Sequence, residues 1–305
     1  MRVYKGSKNL KIEGSAVALG DFDAIHKGHI EIIKSAGEYA KENGLLWTVY
    51  MFSKRPNKMG KSINTLEKRL GILENLGVDV VITEEFTEGF KNTSCEEFVS
   101  EYIIKRLNAK AVFVGYNYRF GKGAKGDAKV LKELLLTYNT EVFVSDCVKN
   151  ENVALSSSEI RKLIENGEME KVKLFMGRNF SVSGRVVEGK KLGRTIGFPT
   201  ANIEYPKDTV IPQSGVYISR TTVGDNKYYS ITNVGEKPTV SDETKNIETA
   251  IGGFSRDIYG ETIGIEFVKK IRDIEKFDSL SELKKQLETD MNEAKEYFEK
   301  RNKNE

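Results

Sequence analysis

The chain of 305 residues contains only two histidines, and both lie in one stretch, 20-GDFDAIHKGH-29. Histidine is the side chain whose charge changes most easily near neutral pH, and it donates well to phosphate oxygens. The apolar run AVALG ends at Gly20, and a helical pattern carrying Ile30, Ile32 and Ile33 begins near His26 to His29. The pair therefore sits in a strand-to-helix turn. At the carboxyl edge of a parallel sheet such a turn is where ligands bind, because the helix start offers unpaired N–H groups and a positive dipole end. Gly28 between the imidazoles leaves the backbone open to a close ligand, and both rings can donate to a phosphate that gains charge in a transition state.

A second group of candidates lies in 193-GRTIGFPTANI-203. Pro199 fixes its own φ and restricts Phe198, so Gly-Phe-Pro-Thr reads as a rigid bend. In an extended chain Thr200 and Asn202 share a face and place a hydroxyl and an amide oxygen together. Hard oxygen ligands suit Mg²⁺ completed by nucleotide phosphates and water, although the same residues also read as a polar barrel rim. The segment 115-GYNYRFGKGAKGD-127 holds a literal G-x-G-x-x-G in Gly121, Gly123 and Gly126, with Glu141 where a ribose-binding acid would be expected. Those glycines come too late after the strand to form its tight turn, and lysines fill the gaps. A mobile basic loop near phosphates is the better reading.

Two different periodicities must position these residues. AVALG, LLWTVYMF, VDVVI, AKAVFVG and EVFVSDC are short apolar runs that predict buried strands. IEIIKSAGEYAKENG, TLEKRLGILENLG, SCEEFVSEYIIKRLN and AKVLKELLLTY alternate with them and carry apolar residues at helical spacing. Ser94 with Glu97 and Ser156 with Glu159 are capping-box pairs. This alternation predicts a doubly wound parallel sheet over residues 1–176. From 177 to 305 the pattern turns β-rich: FSVSGRVVEG, GVYISRTTV, KYYSITNVG, NIETAIGGF and TIGIEFVKKI predict a small antiparallel barrel, with TVGDNKYY as a hairpin. A long helix capped by Ser279 and Glu282 follows, and Leu280, Leu283, Leu287, Met291, Ala294 and Phe298 form a stripe suited to packing on the barrel.

The 48 basic and 45 acidic residues are well mixed, and a net charge of +3 gives no field that would draw nucleic acid. Only Cys95 and Cys147 are present, neither in ligand spacing, which disfavours a disulfide framework or zinc site and favours a reducing compartment. The opening MRVYKGSKNL lacks a signal-peptide core, and no apolar run approaches ~18 residues. The expectation is a cytoplasmic protein with neither a nucleic-acid nor a membrane partner.

Strand, Gly, Asp-x-x-His-x-Gly-His and helix together resemble the H-x-G-H signature of the nucleotidyltransferase superfamily, and 156-SSSEIRKLI-164 resembles its S-S-T-x-I-R segment. P-T-A-N at 199–202 is the hallmark of riboflavin kinases. Similarity continues through 215-GVY-217, 233-NVGEKPT-239, 248-ET-249, 257-DIYG-260 and 276-KFDSL-280. Nearly the whole chain thus resembles the bacterial bifunctional riboflavin kinase/FAD synthetase family. The resemblance implies a Rossmann-like nucleotidyltransferase half followed by a split β-barrel kinase half, with riboflavin, FMN, FAD and ATP as ligands and Mg²⁺ as cofactor. It implies that His26, His29 and Arg161 stabilise adenylyl transfer, and that Glu248 is the base of the kinase. It places nucleotide against Gly20, Asp23, Gly28, Asn117, Ser156 and Ser157 in the first half. In the second half it places nucleotide against Gly189, Arg194, Thr195, Pro199, Thr200 and Asn202, with Thr200 and Asn202 holding the metal.

Three positions depart from the family. Ala24 stands where glycine is usual, and a positive φ there would be strained by roughly 1 kcal/mol or more. Ala250 stands where histidine is common. Ser53-Lys54-Arg55-Pro56 replaces a segment that usually carries an acid and a histidine. The rival readings are a riboflavin kinase with a weak or inactive adenylyltransferase half, and a flavin or nucleotide sensor without turnover.

Overall fold

The structure, a computed structural model, describes all residues except 9, 55–59, 147–148, 151–152, 190–191, 237–244 and 303–305. The chain forms two compact units, Met1–Ser157 and Ser158–Glu305. The first runs β1 (Arg2–Lys5), β2 (Ser15–Leu19), α1 (Lys27–Asn43), β3 (Leu46–Phe52), α2 (Leu66–Leu76), β4 (Val80–Glu84) and α3 (Glu88–Lys91). It continues with α4 (Cys95–Glu97), a π-helix over Phe98–Arg106, β5 (Ala109–Gly115), α5 (Ala128–Leu136), β6 (Glu141–Ser145), β7 (Lys149–Asn150) and β8 (Val153–Ala154). α6 (Ser157–Glu165) begins at the boundary of the two units.

Six strands form one parallel sheet in the order β1-β4-β3-β2-β5-β6. Its central strands are apolar throughout because both faces are covered. Val17, Leu19, Val112 and Val114 join Phe98 and Ile103 of the π-helix on one side, whereas Ala16, Ala18 and Phe113 join Ile33, Ala36 and Ala40 of α1 on the other. β6 departs from the expectation of a buried strand. It pairs only with β5 at the sheet edge, leaving Phe143 38% and Val144 43% exposed. β1 forms the opposite edge and had no apolar run to announce it. The helix expected over 94–108 is capped by Ser94 Oγ, which accepts from Glu97 N at 3.1 Å, but it widens into the π-helix. That wider turn brings the Phe98 and Tyr102 rings into a stack at 5.7 Å and sets the Arg106 guanidinium over Tyr102 at 4.0 Å.

The second unit contains α7 (Met169–Met176), β9 (Phe180–Val187), α8 (Leu192–Thr195), β10 (Thr200–Glu204), β11 (Gly215–Val223) and β12 (Asn226–Glu236). It ends with β13 (Lys245–Ile251), β14 (Thr262–Arg272) and α9 (Leu280–Asn302). The strands close an antiparallel barrel in the order β10-β13-β12-β11-β14-β9. β11 and β12 form the expected hairpin, with Val223 opposite Asn226 across Gly224 and Asp225. The change of periodicity near residue 176 comes after the boundary of the compact units, because α7 packs its buried Met169, Val172 and Phe175 against β9 and β14.

Tyr217, Phe180 and Phe267 fill part of the barrel interior, together with five fully buried hydroxyl residues. Ser219 bonds Ser230 and Thr232 at 2.8 and 2.7 Å, Thr221 bonds Ser230 at 2.8 Å, and Thr232 donates to Thr249 at 3.0 Å. A buried polar group is costly unless paired, so this mutual pairing makes the network tolerable inside the barrel.

On the outer surface, Leu287, Met291, Ala294 and Phe298 of α9 pack against Ile218, Ile231, Ala250 and Val268. Leu280 does not join the stripe, since at the first turn it is 55% exposed. A feature absent from the stripe fixes the helix: Asp290, 2% exposed, receives Arg272 Nε and Nη2 at 3.1 and 2.7 Å and Gln286 Nε2 at 2.8 Å. Removing one member of a buried pair strands the other charge. Asp290→Ala is expected to lower the stability of the barrel unit by about 3–5 kcal/mol in urea unfolding, whereas Leu280→Ser is expected to change it by less than about 0.5 kcal/mol.

Candidate active sites

In the first unit the chain after β2 turns through Gly20–Ile25 into α1. β2 and β5 are adjacent, yet the chain leaves β2 for β3 on one side and β5 for β6 on the other. Their carboxyl ends therefore form the switch point of the sheet, the crevice where open α/β sheets bind ligands. Gly20 and the histidine turn follow β2, and Asn117, which is exposed, follows β5.

His26 is the N-cap of α1: its Nδ1 accepts from His29 N at 3.2 Å. An accepting Nδ1 places the neutral ring's proton on Nε2, so His26 donates from the far side of its ring. The two imidazoles stack with centroids 3.7 Å apart, and Phe22 meets His29 edge-on at 5.1 Å. His26 is 5% exposed, His29 is half-buried, and Gly28 is buried in the first turn. The first turn of α1 and the two stacked rings thus lie together just beyond the carboxyl end of β2.

The turn itself is strained, though not at Ala24. Phe22 and Ile25, on either side of Asp23 and Ala24, take φ of 47° and 42°. Each left-handed non-glycine residue costs about 1–2 kcal/mol, and a β-branched one is rare there. Ala24 has no positive φ, so the substitution brings none of the backbone strain anticipated for it.

Asp23 is fully buried, and its Oδ1 accepts from Ile63 N at 2.9 Å and Asn64 N at 3.4 Å. Asn64 Nδ2 returns a bond to Asp23 O at 2.6 Å. Arg69, 2% exposed on α2, adds Nη1 to Asp21 O at 3.3 Å and to Phe52 O at 2.9 Å, and Nη2 to Ser53 O at 2.8 Å. Asp23, expected among the nucleotide contacts, is thus engaged by backbone in the interior. It supports the turn from beneath.

The G-x-G-x-x-G segment is a closed loop. Phe120 and Gly126 exchange backbone hydrogen bonds at 3.1 and 3.0 Å around a 3-10 turn, Lys122–Ala124. A Cβ on Gly121 would meet Cys95 Sγ at 2.5 Å, and one on Gly126 would meet the Phe120 ring at 2.5 Å. These glycines are required by packing. Glu141 accepts from Tyr39 OH at 2.5 Å, a bond that pushes the tyrosine up to about 12. Neither feature serves a dinucleotide. Ser156 and Ser157 lead into α6, and Arg161 lies one turn along it with 9% of its surface exposed. Arg55 and Pro56 fall outside the described residues.

In the barrel unit, register decides the site. Asn202 on β10 lies opposite Glu248 on β13, Thr200 lies opposite Ala250, and Glu248 in turn faces Asn233 on β12. Thr200, Asn202, Glu248 and Ala250 therefore share the outer face of the barrel, while Thr249 and Ile247 point inward. Asn202 is 8% exposed. A Cβ on Gly189 would lie 2.2 Å from Asn202 Nδ2, so only glycine lets that backbone cross the amide. The segment before β10 folds on itself: Ile196 N and Phe198 N both donate to Gly193 O, at 3.2 and 2.8 Å. Thr195 ends α8, Pro199 precedes β10, and Arg194 is in α8 with its side chain outside what the structure describes. Ala250, 4% exposed, packs beneath α9, so a small apolar residue fits where the family often has histidine. Among the described residues no group of three His, Cys, Asp or Glu could hold a metal, and no helix is long and apolar enough to cross a membrane.

Nothing in the sequence marks the residues that hold the histidine turn: Asn64, just before α2, and Arg69, in its first turns, are polar residues without a motif. An aromatic group was also missed: Phe52 at the end of β3 meets Phe86 and Phe90 at 5.2 and 5.4 Å, with Phe86 40% exposed. Asp23→Ala is expected to cost about 2–4 kcal/mol, since it strands two buried N–H groups. In thermal or urea unfolding Asp23→Asn should recover part of that loss.

The FAD synthetase family model matches residues 8–159 and the riboflavin kinase model residues 176–298. Among curated bifunctional riboflavin kinase/FMN adenylyltransferases, that of Bacillus subtilis is 34% identical, covering 93% of this chain and 92% of its own. The Escherichia coli K12 protein is 31% identical, covering 98% of each chain. A solved structure described as a macrolide-efflux protein from Streptococcus pneumoniae superposes with a TM-score of 0.89 at 31% identity, covering 97% of this chain and 99% of that one. With relatives 31–34% identical along nearly its whole length and a matching family model for each half, the chain belongs to the bifunctional riboflavin kinase/FMN adenylyltransferase family.

Proposed function

We propose that the barrel unit phosphorylates riboflavin to FMN with ATP, and that the sheet unit joins FMN to the adenylyl group of a second ATP, giving FAD and pyrophosphate. The observation that carries this reading is the pairing of Asn202 with Glu248, which sets a carboxylate beside an amide on one strip of the barrel's outer face. Both activities are ATP-dependent in this family.

In the kinase step the ribityl 5′-hydroxyl oxygen attacks the γ-phosphorus, the bond to the β,γ-bridging oxygen breaks, and ADP leaves. A hydroxyl is a poor nucleophile until a positioned base takes its proton, and Glu248 is that base. Thr200 and Asn202 offer oxygens on the same face, a donor set that fits Mg²⁺ completed by phosphates and water. The ion would neutralise charge on the transferred phosphoryl group. Gly189, whose backbone crosses the Asn202 amide, and Arg194, Thr195 and Pro199 of the segment leading into β10 are the residues we assign to the nucleotide.

In the adenylyl step a phosphate oxygen of FMN attacks the α-phosphorus and pyrophosphate leaves. The nucleophile is already anionic, so no base is needed. His26 and His29, with the first N–H groups of α1 around Gly28, stabilise the added charge. Gly20 and Asn117 border the same crevice, and the family resemblance assigns the leaving pyrophosphate to Ser156, Ser157 and Arg161. Asp23 acts by holding the turn. Near the carboxyl ends of β3 and β4, Phe86, exposed beside Phe52 and Phe90, is the ring we assign to the flavin.

Incubation with riboflavin, ATP and Mg²⁺ should yield FMN and FAD on chromatography; FMN alone would identify an inactive adenylyltransferase half, and bound flavin without product a sensor. Glu248→Gln is expected to abolish FMN formation while supplied FMN is still adenylylated, and His29→Ala to do the reverse, with a loss on the order of 100-fold or more. Phe86→Ala should raise the KM for FMN several-fold and leave riboflavin phosphorylation unchanged.

A further inference from the structure

Asn246 lies two residues before Glu248 on β13, on the same outer face, and opposite Gly235 of β12. Its Nδ2 donates to Glu248 Oε1 at 2.5 Å and to Asn202 Oδ1 at 3.4 Å. One amide thus spans the two side chains that the strand register has already set side by side. We propose that Asn246 is a positioning residue of the kinase half, which fixes the Glu248 carboxylate and the Asn202 amide in one arrangement; this rests on the reading of Glu248 as the base.

Three features carry the inference. Glu248 is half-buried and lies in a row between Asn202 and Asn233. A glutamate has three side-chain torsions, and cross-strand neighbours alone leave its carboxylate free to rotate. The Asn246 bond removes that freedom and makes the two oxygens inequivalent: Oε1 is held, and Oε2 is the oxygen that takes the proton of the substrate hydroxyl. On Asn202, accepting from Asn246 turns Oδ1 to the Glu248 side, while a Cβ on Gly189 would lie 2.2 Å from Nδ2. The Asn202 amide is therefore oriented from both sides. Its oxygen keeps a second lone pair on the face it shares with the carboxylate. A base held in place before substrate arrives has less orientation to lose in the transition state.

The test uses the full chain with riboflavin, ATP and Mg²⁺. Asn246→Ala is expected to lower kcat for FMN formation on the order of 10- to 100-fold, with the KM values for riboflavin and ATP within about threefold. Asn246→Asp keeps shape and volume but replaces the donor with an acceptor facing a carboxylate, so it should lose at least as much kcat as alanine. Asn246→Gln, which keeps the amide donor, should recover part of the loss. Adenylylation of supplied FMN should be unchanged in all three. In the Glu248→Gln background, Asn246→Ala should cause no further loss. Wild-type kcat in both Asn246→Ala and Asn246→Asp, with Glu248→Gln inactive, would overturn the inference alone. An active Glu248→Gln would overturn the reading of the base, and the inference with it.

Discussion

The first site depends on a single buried carboxylate. The turn that carries both histidines holds two left-handed residues, Phe22 and Ile25. Left to itself the backbone would relax, and the imidazoles would leave the crevice. Asp23 opposes this by accepting two backbone N–H groups from Ile63 and Asn64, just before α2, and Arg69 of that helix ties Asp21 to the end of β3. Strain persists in proteins only where the surroundings over-determine it, and here they include the Asp23 carboxylate, the Asn64 amide and the Arg69 guanidinium. His26 then caps α1, so the same ring ends the turn and starts the helix.

The second site is built by another device. No strained turn positions Glu248; the antiparallel register does, by placing it opposite Asn202 and two residues from Asn246. Because side chains alternate along a strand, a slip of one residue would send Glu248 into the barrel and bring Thr249 out. The hydroxyl network of Ser219, Thr221, Ser230, Thr232 and Thr249 resists that slip, since it leaves no buried oxygen paired unless the register is kept. The Arg272–Asp290 pair seats α9 over the neighbouring face. Interior polarity in this barrel thus serves an exterior site. The two chemistries need these different devices: an anionic nucleophile needs donors converging at a helix start, and a hydroxyl nucleophile needs one base in a fixed orientation.

Much of this was legible in residue order. Strand–helix alternation and then β-rich runs with turn residues specify the two architectures, because buried faces demand a period of about two or 3.6 residues. The histidine pair and Gly28 stand out by type and spacing, whereas Thr200 and Asn202 read equally as a barrel rim and Glu248 is singled out only by the family resemblance. Less was legible where a contact comes from a distant segment. β6 reads as buried by composition, but it is an edge strand because only β5 lies beside it. Asp23 reads as a ligand contact, yet its partners come from residues 63 and 64. Ala24 reads as a site of strain, but the positive φ values fall on its neighbours.

The sequence by itself determined which residues can do chemistry and which local elements carry them, since periodicity, capping and turn preference act over a few positions. Only the tertiary structure decided which side chain touches which. It placed a carboxylate beneath the histidine turn, drew glycine backbone across Asn202, and set Asn246 between Asn202 and Glu248. These contacts arise when strands pair and helices dock, and their geometry depends on distances that no single segment contains.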